Sequence, residues 1–199
     1  MKKAFVREKS TPNPVKTPEN TVKRRKKITS SYLENSGAYY LQRFMASSAQ
    51  FKRVMTRKID LSCRDHPDQI REDCLSLLDQ VVIKFLDLGY LNDATYAQGL
   101  YHSLSQRGFS RQKIQAQMKN KGVPSELIAA CQGDENSEHE LAMAVRFIRR
   151  KKLGAFAIRE SSQQKSLASL ARNGFGYETA AKALALSRDD AEAMFYNLD

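Results

Sequence analysis

The residues best suited to binding a metal ion are two cysteines and a histidine in one stretch of the chain. Cys63, His66 and Cys74 offer the thiolate and imidazole groups that zinc prefers, and the first two have the short spacing of a metal clip. A structural zinc site needs a fourth ligand, and the long intervening helix would carry Cys74 away from the pair unless the chain folds back. Cysteines on apolar helix faces are usually core residues. The sequence therefore predicts no metal site and no cofactor.

Catalysis by acid–base or nucleophilic chemistry has little support in the sequence. His102 and His139 lie in helical segments without a Cys or Ser partner within reach. Paired carboxylates such as Asp189 and Asp190 fall at helix starts, where they favour the helix dipole. The chain contains no phosphate-binding loop, dinucleotide fingerprint or metalloprotease helix. We therefore expect a protein that is not an enzyme.

Basic side chains are the stronger candidates for function. They could compensate helix dipoles and stay solvated, or they could contact phosphate or an acidic protein groove. If the helices stack with equivalent faces aligned, they would form one long basic side without the aromatic ladder needed for base stacking. The candidate partner or DNA contacts are Arg146, Arg149, Arg150, Lys151 and Lys152 on one helix; Arg107, Arg111, Lys113, Lys119 and Lys121 around a second; and Arg53, Arg57 and Lys58 on a third.

The elements that must position these side chains are helices. Apolar residues recur at three- and four-residue steps from about residue 31 onward, and strand alternation is not sustained. Gly or Pro separates about nine helical segments in three groups of three, and one long helix is expected over 68–88. Short connections favour antiparallel neighbours, so each group should be a compact three-helix unit.

A short phrase occurs three times in the chain. The middle copy opens with Ser110, continues through Ile114 and Met118, and turns basic before Gly122. Equivalent positions lie 63 residues upstream, beginning at Ser47, and 52 residues downstream, beginning at Ser162. This spacing corresponds to about three helices and predicts an all-α fold, an elongated array of three tandem three-helix repeat units. Because Ile59 replaces the terminal glycine in the first copy, we expect the second helix of the first unit to be longer.

The positive charge is concentrated at the start of the chain. The protein has 199 residues and a formal net charge of +11, of which +8 falls within residues 1–30. Three prolines and few apolar residues predict a disordered basic arm there, which could be a nuclear address, a phosphate-seeking arm or a solubilising extension. The expected units then span residues 31–90, 91–134 and 135–199.

The sequence indicates neither a membrane protein nor an oxidised, secreted one. Its apolar runs are broken well short of the roughly 20 residues that cross a bilayer. The three cysteines lack the spacing of a disulfide framework and suit a reducing cytosol, so we expect a cytoplasmic location.

Several phrases together resemble the RecX regulatory proteins, which modulate the RecA recombinase. The resemblance spans about residues 36–186. The matching phrases are Gly89-Tyr90-Leu91-Asn92-Asp93 with Tyr96-Ala97, Gly108-Phe109-Ser110 with Lys121-Gly122-Val123, and Leu170-Ala171-Arg172-Asn173-Gly174-Phe175. Two residues depart from the family pattern, which has Asp at the position of Asn92 and Arg at the position of Asn173. Residues 1–30 have no counterpart in the pattern.

The resemblance implies a non-enzymatic regulator built of tandem three-helix units. Such a protein would bind along the groove of a RecA–DNA filament, limit filament growth, and damp ATP hydrolysis, strand exchange and repressor cleavage in recombination and the DNA-damage response. Its partners would be the RecA filament and DNA, contacted directly or through the filament, and the protein would be monomeric. The alternative is a general DNA-binding helical module that acts through the arm and the basic helix faces.

Overall fold

The fold is helical throughout the residues that the structure, a computed structural model, describes: 24–133, 137–159 and 162–196. No strand occurs in these ranges, and none of their helices is long and apolar enough to cross a membrane. The α-helices are α1 (Ser30–Leu41), α2 (Ser48–Asp65), α3 (Arg71–Asp87), α4 (Asp93–Gln106), α5 (Arg111–Asn120), α6 (Ser125–Gln132), α7 (Ser137–Lys151), α8 (Gln163–Arg172), α9 (Tyr177–Ala185) and α10 (Arg188–Tyr196), with a 3-10 turn at Gly154–Phe156.

Short polar side chains begin several of these helices. The Ser47 and Ser110 hydroxyls accept hydrogen bonds from the backbone N–H groups of Gln50 and Lys113, at 3.1 and 3.2 Å. Asn92 caps α4 in the same way. These caps satisfy N–H groups that have no partner within the helix. Ser47, Asn92 and Ser110 therefore mark where α2, α4 and α5 begin.

The structure differs from the sequence expectations in the start of one helix and in the presence of one more helix. The helix expected over 68–88 begins only at Arg71, because residues 67–69 form a turn and Gln69 uses its side chain to hold another segment. A tenth α-helix follows the expected nine, and Ser187 caps it by accepting from Asp190 N at 3.1 Å. The longer second helix expected in the first unit is confirmed, since α2 has 18 residues whereas α5 and α8 have 10 each.

The end of the predicted disordered arm is folded. Ile28 is buried in the first core, and its N–H and C=O groups pair with the amide side chain of Gln69 at 2.9 and 3.0 Å. Arg25 forms an ion pair with Asp65 at 3.1 Å, and the Ser62 hydroxyl donates to Lys26 O. The prediction of an arm over 1–30 was therefore too long by the segment 24–30, and residues 1–23 lie outside the described residues.

Two hydrophobic cores organise the chain. The first joins α1, α2 and α3 and receives Leu91 from the start of the following segment. The second runs without interruption from Ala97 on α4 to Ala183 on α9. The second and third groups of helices therefore share one core instead of forming separate compact bodies, and the boundaries 31–90, 91–134 and 135–199 stay a prediction.

The repeated phrase joins one group of helices to the next. Ser47 Oγ donates to Lys121 O at 2.7 Å, and Ser110 Oγ donates to Asn173 O at 2.6 Å. In each case, the serine that begins one copy of the phrase binds the residue that ends the helix of the next copy. We call these contacts the first joint and the second joint.

A carboxylate reinforces each joint by accepting from the N–H group of the first residue of α2 or α5. Asp93 accepts from Ser48 N at 2.6 Å at the first joint, and Glu140 accepts from Arg111 N at 3.3 Å at the second. Glycine at position 174 permits the close approach, because a Cβ atom there would lie 2.6 Å from Ser110 Oγ. The fold is the predicted one, an all-α elongated array of tandem three-helix units, and its repeat is a repeat of joints.

Candidate functional site: a four-cation groove at the second joint

The three residues considered as a metal clip do not form a ligand set. His66 Nε2 lies 2.7 Å from Arg25 O and so donates to it, while Cys63 on α2 is near enough to Cys74 on α3 to affect its pKa. Burial, followed by the Cys63 thiol, raises the pKa of Cys74. The chain folds back between α2 and α3, so the helix does not carry Cys74 away from Cys63. No cluster of three or more metal-ligating side chains occurs among the described residues.

The basic cluster on α7 divides into a buried and an exposed part. Arg146 is only 6% exposed, within a run from Ala142 to Ile148 that is buried on all sides. Arg149, Arg150, Lys151 and Lys152 are exposed at the end of the helix. The candidate contact Arg146 is therefore buried, unlike Arg149 and Arg150, because α7 packs against α4, α8, α9 and α10.

The first-unit candidates lie near the first joint or within their own unit. The Arg53 guanidinium donates to Asn120 O at 3.3 and 3.4 Å, which places it beside Lys119 and Lys121 at the end of α5. Lys58 is half-buried and donates to Ser36 Oγ at 3.1 Å. Arg57 is exposed on α2.

The candidates around α5 do not all face one feature. Lys113, Lys119 and Lys121 are exposed, and the Lys121 carbonyl is the acceptor of the first joint. Arg111 lines a polar groove of about 500 Å³ with Glu140 and several glutamines. Burial raises the pKa of Glu140 above its ordinary value, although the Arg111 N–H and charge act in the opposite direction.

Arg107, Arg150 and Lys151 come together in a separate groove of about 640 Å³ at the second joint. We call it the four-cation groove, because Arg172 from the end of α8 also lines it. Its remaining lining residues are Phe109, Phe147, Ser169 and Asn173. The cations come from the end of α4, the last turn of α7 and the last residue of α8, so the second joint assembles the groove.

Hydrogen bonds and a contact between aromatic rings form the floor of the groove. Asn173 is buried; its side-chain Nδ2 donates to Gly108 O at 3.2 Å, and its carbonyl accepts from Ser110. Phe147 packs against Phe175 with ring centroids 5.9 Å apart. Residues of both units therefore fix the positions from which the cationic side chains project.

Two guanidinium groups share one aromatic ring. The Cζ atoms of Arg107 and Arg150 lie 5.1 and 4.9 Å from the centroid of Phe109, and Arg150 also lies 5.5 Å from that of Phe147. Such cation–π contacts hold guanidinium groups in place. Burial, followed by the positive charge of Arg107, lowers the pKa of Arg150. The groove concentrates positive charge that an anion would stabilise.

Sequence reasoning did not select Arg172 or Phe109 as site residues. Arg172 is a single basic residue at the end of α8, and Phe109 is a single aromatic in a loop. The signal for Arg172 was the repeated phrase, whose third copy ends there and meets Ser110 of the second copy. Arg172 could be recognised as a site residue only with the knowledge that successive copies of the repeated phrase are in contact.

Comparison with known proteins identifies similar chains. Residues 92–131, which cover α4, α5 and most of α6, match the family model described as RecX, second three-helix domain. The chain is 36% identical over 176 residues to the regulatory protein RecX of Myxococcus xanthus, covering 86% of this chain and 94% of that one. It is 28% identical over 166 residues to the regulatory protein RecX of Agrobacterium fabrum, covering 81% and 86%.

A solved structure shares the fold. The crystal structure of RecX from Lactobacillus salivarius superposes with a TM-score of 0.56 at 17% identity, covering 82% of this chain and 97% of that one. At this identity the likeness concerns the fold alone.

Proposed function

Because the chain belongs to the RecX family of regulatory proteins, we propose that it is a non-enzymatic regulator of a RecA-type recombinase. It binds the RecA–DNA filament, limits filament growth, and damps ATP hydrolysis, strand exchange and coprotease activity in recombination and the DNA-damage response. The observation that carries this proposal is the match over 94% of a relative named as a regulatory protein. We place the protein in the cytoplasm as a monomer.

The joints support a mechanism in which several weak contacts act together. Hydrogen bonds at equivalent positions set the spacing of successive units, and a filament presents its subunits at regular intervals. Once one unit binds, the next meets its site at a high effective concentration. Exposed cations would contact acidic filament walls or the bound DNA, so the affinity should fall with increasing salt.

The proposal is tested by titrating the protein into the DNA-dependent ATP hydrolysis reaction of its own host's recombinase. Inhibition is expected at amounts of regulator below those of recombinase, because one array contacts several filament subunits. If hydrolysis is unchanged at any ratio, the proposed function is wrong.

A general DNA-binding module is the second candidate, and the four-cation groove and the basic arm favour it. Deleting residues 1–23 discriminates between the two, since this deletion leaves Ile28 in the first core. A filament regulator should keep inhibiting the recombinase when its affinity for naked DNA drops. Loss of inhibition in proportion to loss of DNA affinity would favour simple competition for DNA.

A further inference from the structure

We propose that the four-cation groove binds the phosphodiester backbone of a nucleic-acid strand across the second joint, and that the bound strand braces the joint. This inference rests on the proposed function and deepens it, because it assigns the DNA contact to a defined place. The strand would be held without regard to its base sequence.

The lining of the groove is suited to anions. Arg107, Arg150, Lys151 and Arg172 are all exposed and line a space of about 640 Å³. No Asp or Glu is among the described residues that line it. Arg107 and Arg150 both contact the Phe109 ring, and the charge of Arg107 contributes to the lowered pKa of Arg150, so the two cations repel each other. A phosphate bound in the groove would relieve this repulsion and could accept paired N–H bonds from either planar group.

A nucleic-acid backbone fits this lining better than an acidic peptide does. Protein partners usually contribute apolar or aromatic anchors that fill pockets at the interface. Guanidinium groups lie over the two aromatic rings of the groove, and Phe147 is 3% exposed. The side-chain groups that a ligand can reach in the groove are therefore mainly cationic, as phosphate contacts require. Since Phe109 already stacks with two cations, it is not a platform for bases, and binding should be independent of base sequence.

The origin of the cations connects binding with the joint. Arg107 ends α4 in the second unit, whereas Arg150, Lys151 and Arg172 belong to α7 and α8 in the third. A strand that contacts both sets cross-links the two units. The hydrogen bonds of Ser110 and Asn173 form the floor beneath it, so occupancy should reduce local opening there.

The test measures fluorescence anisotropy of a labelled oligothymidylate with the full-length protein. The groove variant carries Arg107→Ala and Arg150→Ala. The matched control carries Arg64→Ala and Lys165→Ala, which remove two exposed charges from α2 and α8 outside the groove. The groove variant should lose about tenfold or more in affinity, with a salt slope lower by about 1.4 for two lost phosphate contacts. The control should lose less than about threefold.

Folding is checked independently, because Arg150 packs on Phe147. Arg172→Ala removes a groove cation for which no aromatic contact is found in the described residues. This variant should keep wild-type helicity by circular dichroism and weaken binding by about threefold or more. Hydrogen exchange of residues 107–110 and 172–175 should slow when the oligothymidylate is added to the wild-type protein.

Several results would overturn the proposal. Equal losses in the groove variant and the control would indicate diffuse electrostatic binding. If the oligothymidylate leaves the rate of hydrogen exchange at the second joint unchanged, the bound strand does not stabilise that joint. An acidic peptide such as oligoglutamate that binds the groove more tightly than the oligonucleotide would assign the groove to a protein partner. Because these assays contain no recombinase, failure here together with intact inhibition of ATP hydrolysis would overturn the groove assignment alone.

Discussion

Glu140 contributes a hydrogen bond to the second joint, although burial disfavours the charged form of its carboxylate. Its carboxylate accepts from Arg111 N, but burial raises its pKa above the ordinary value. The folded protein therefore binds a proton at Glu140 more readily than the unfolded chain does. The stability contribution of this group is complete below its unfolded pKa and is lost as the pH rises through the raised, folded pKa.

We predict that Glu140→Gln is more stable than wild type at neutral pH. The amide oxygen can still accept from Arg111 N, and the cost of the partly buried charge disappears. The advantage should shrink as the pH falls towards 4 and Glu140 becomes protonated in both states. Urea unfolding of both proteins between pH 4 and 7 measures this, and an advantage that grows towards low pH would contradict the assignment.

Arg146 is predicted to support stability from inside the third unit. Arg146→Glu should reduce the free energy of unfolding by roughly 3 kcal/mol or more, because it places an unfavourable charge among buried side chains. Arg57→Glu, on the exposed side of α2, is the control and should change stability by about 0.5 kcal/mol or less. Urea unfolding measures both, and similar small effects would contradict the buried position.

The sequence predicted the chemical class of the site residues better than their positions. Three cations of the four-cation groove, Arg107, Arg150 and Lys151, were candidates. Arg146 was also a candidate because helical periodicity aligns it with Arg150. Periodicity shows which residues share a face but not whether a second layer of helices covers that face, as happens for α7.

At the scale of elements, the serine of the repeated phrase both starts a helix and joins two units. Ser110 caps α5 and also donates its hydroxyl proton to Asn173 O, with no exposed surface. Asn92 caps α4 at an exposed position. The two residues therefore have the same local role, but only Ser110 has the additional role at the joint.

We predict a larger stability loss from Ser110→Ala than from Asn92→Ala. Loss of a cap costs about 1 kcal/mol, and leaving the buried Asn173 carbonyl without its partner adds about 1–2 kcal/mol. Thermal or urea unfolding gives both values. Equal losses would mean that the joint contributes nothing beyond capping.

Helix positions were largely predictable because caps, glycines and apolar periodicity are local signals. The joints were not, because Asp93 and Glu140 both fit local roles at helix starts and nothing local indicates that they accept from Ser48 N and Arg111 N. The packed segment 24–30 was missed for a related reason. Its few apolar residues could not order it alone, but Gln69 and the first core do.

At the scale of the whole molecule, the array combines one separate unit with two units that share a core. The first core ends at Leu91, and the second runs from α4 to α9. The first joint connects the two cores through hydrogen bonds and the close contact of Ala49 with Gly122. Bending of the array should therefore be easier at the first joint than within the shared core.

The stoichiometry of recombinase inhibition tests the central claim most directly. ATP hydrolysis is measured at fixed recombinase and DNA while the full-length regulator is added. If jointed units bind several filament subunits at once, half-inhibition should occur with several recombinase molecules present for each regulator. A regulator that inhibits only when it equals or exceeds the recombinase, or that does not inhibit at all, would contradict this account.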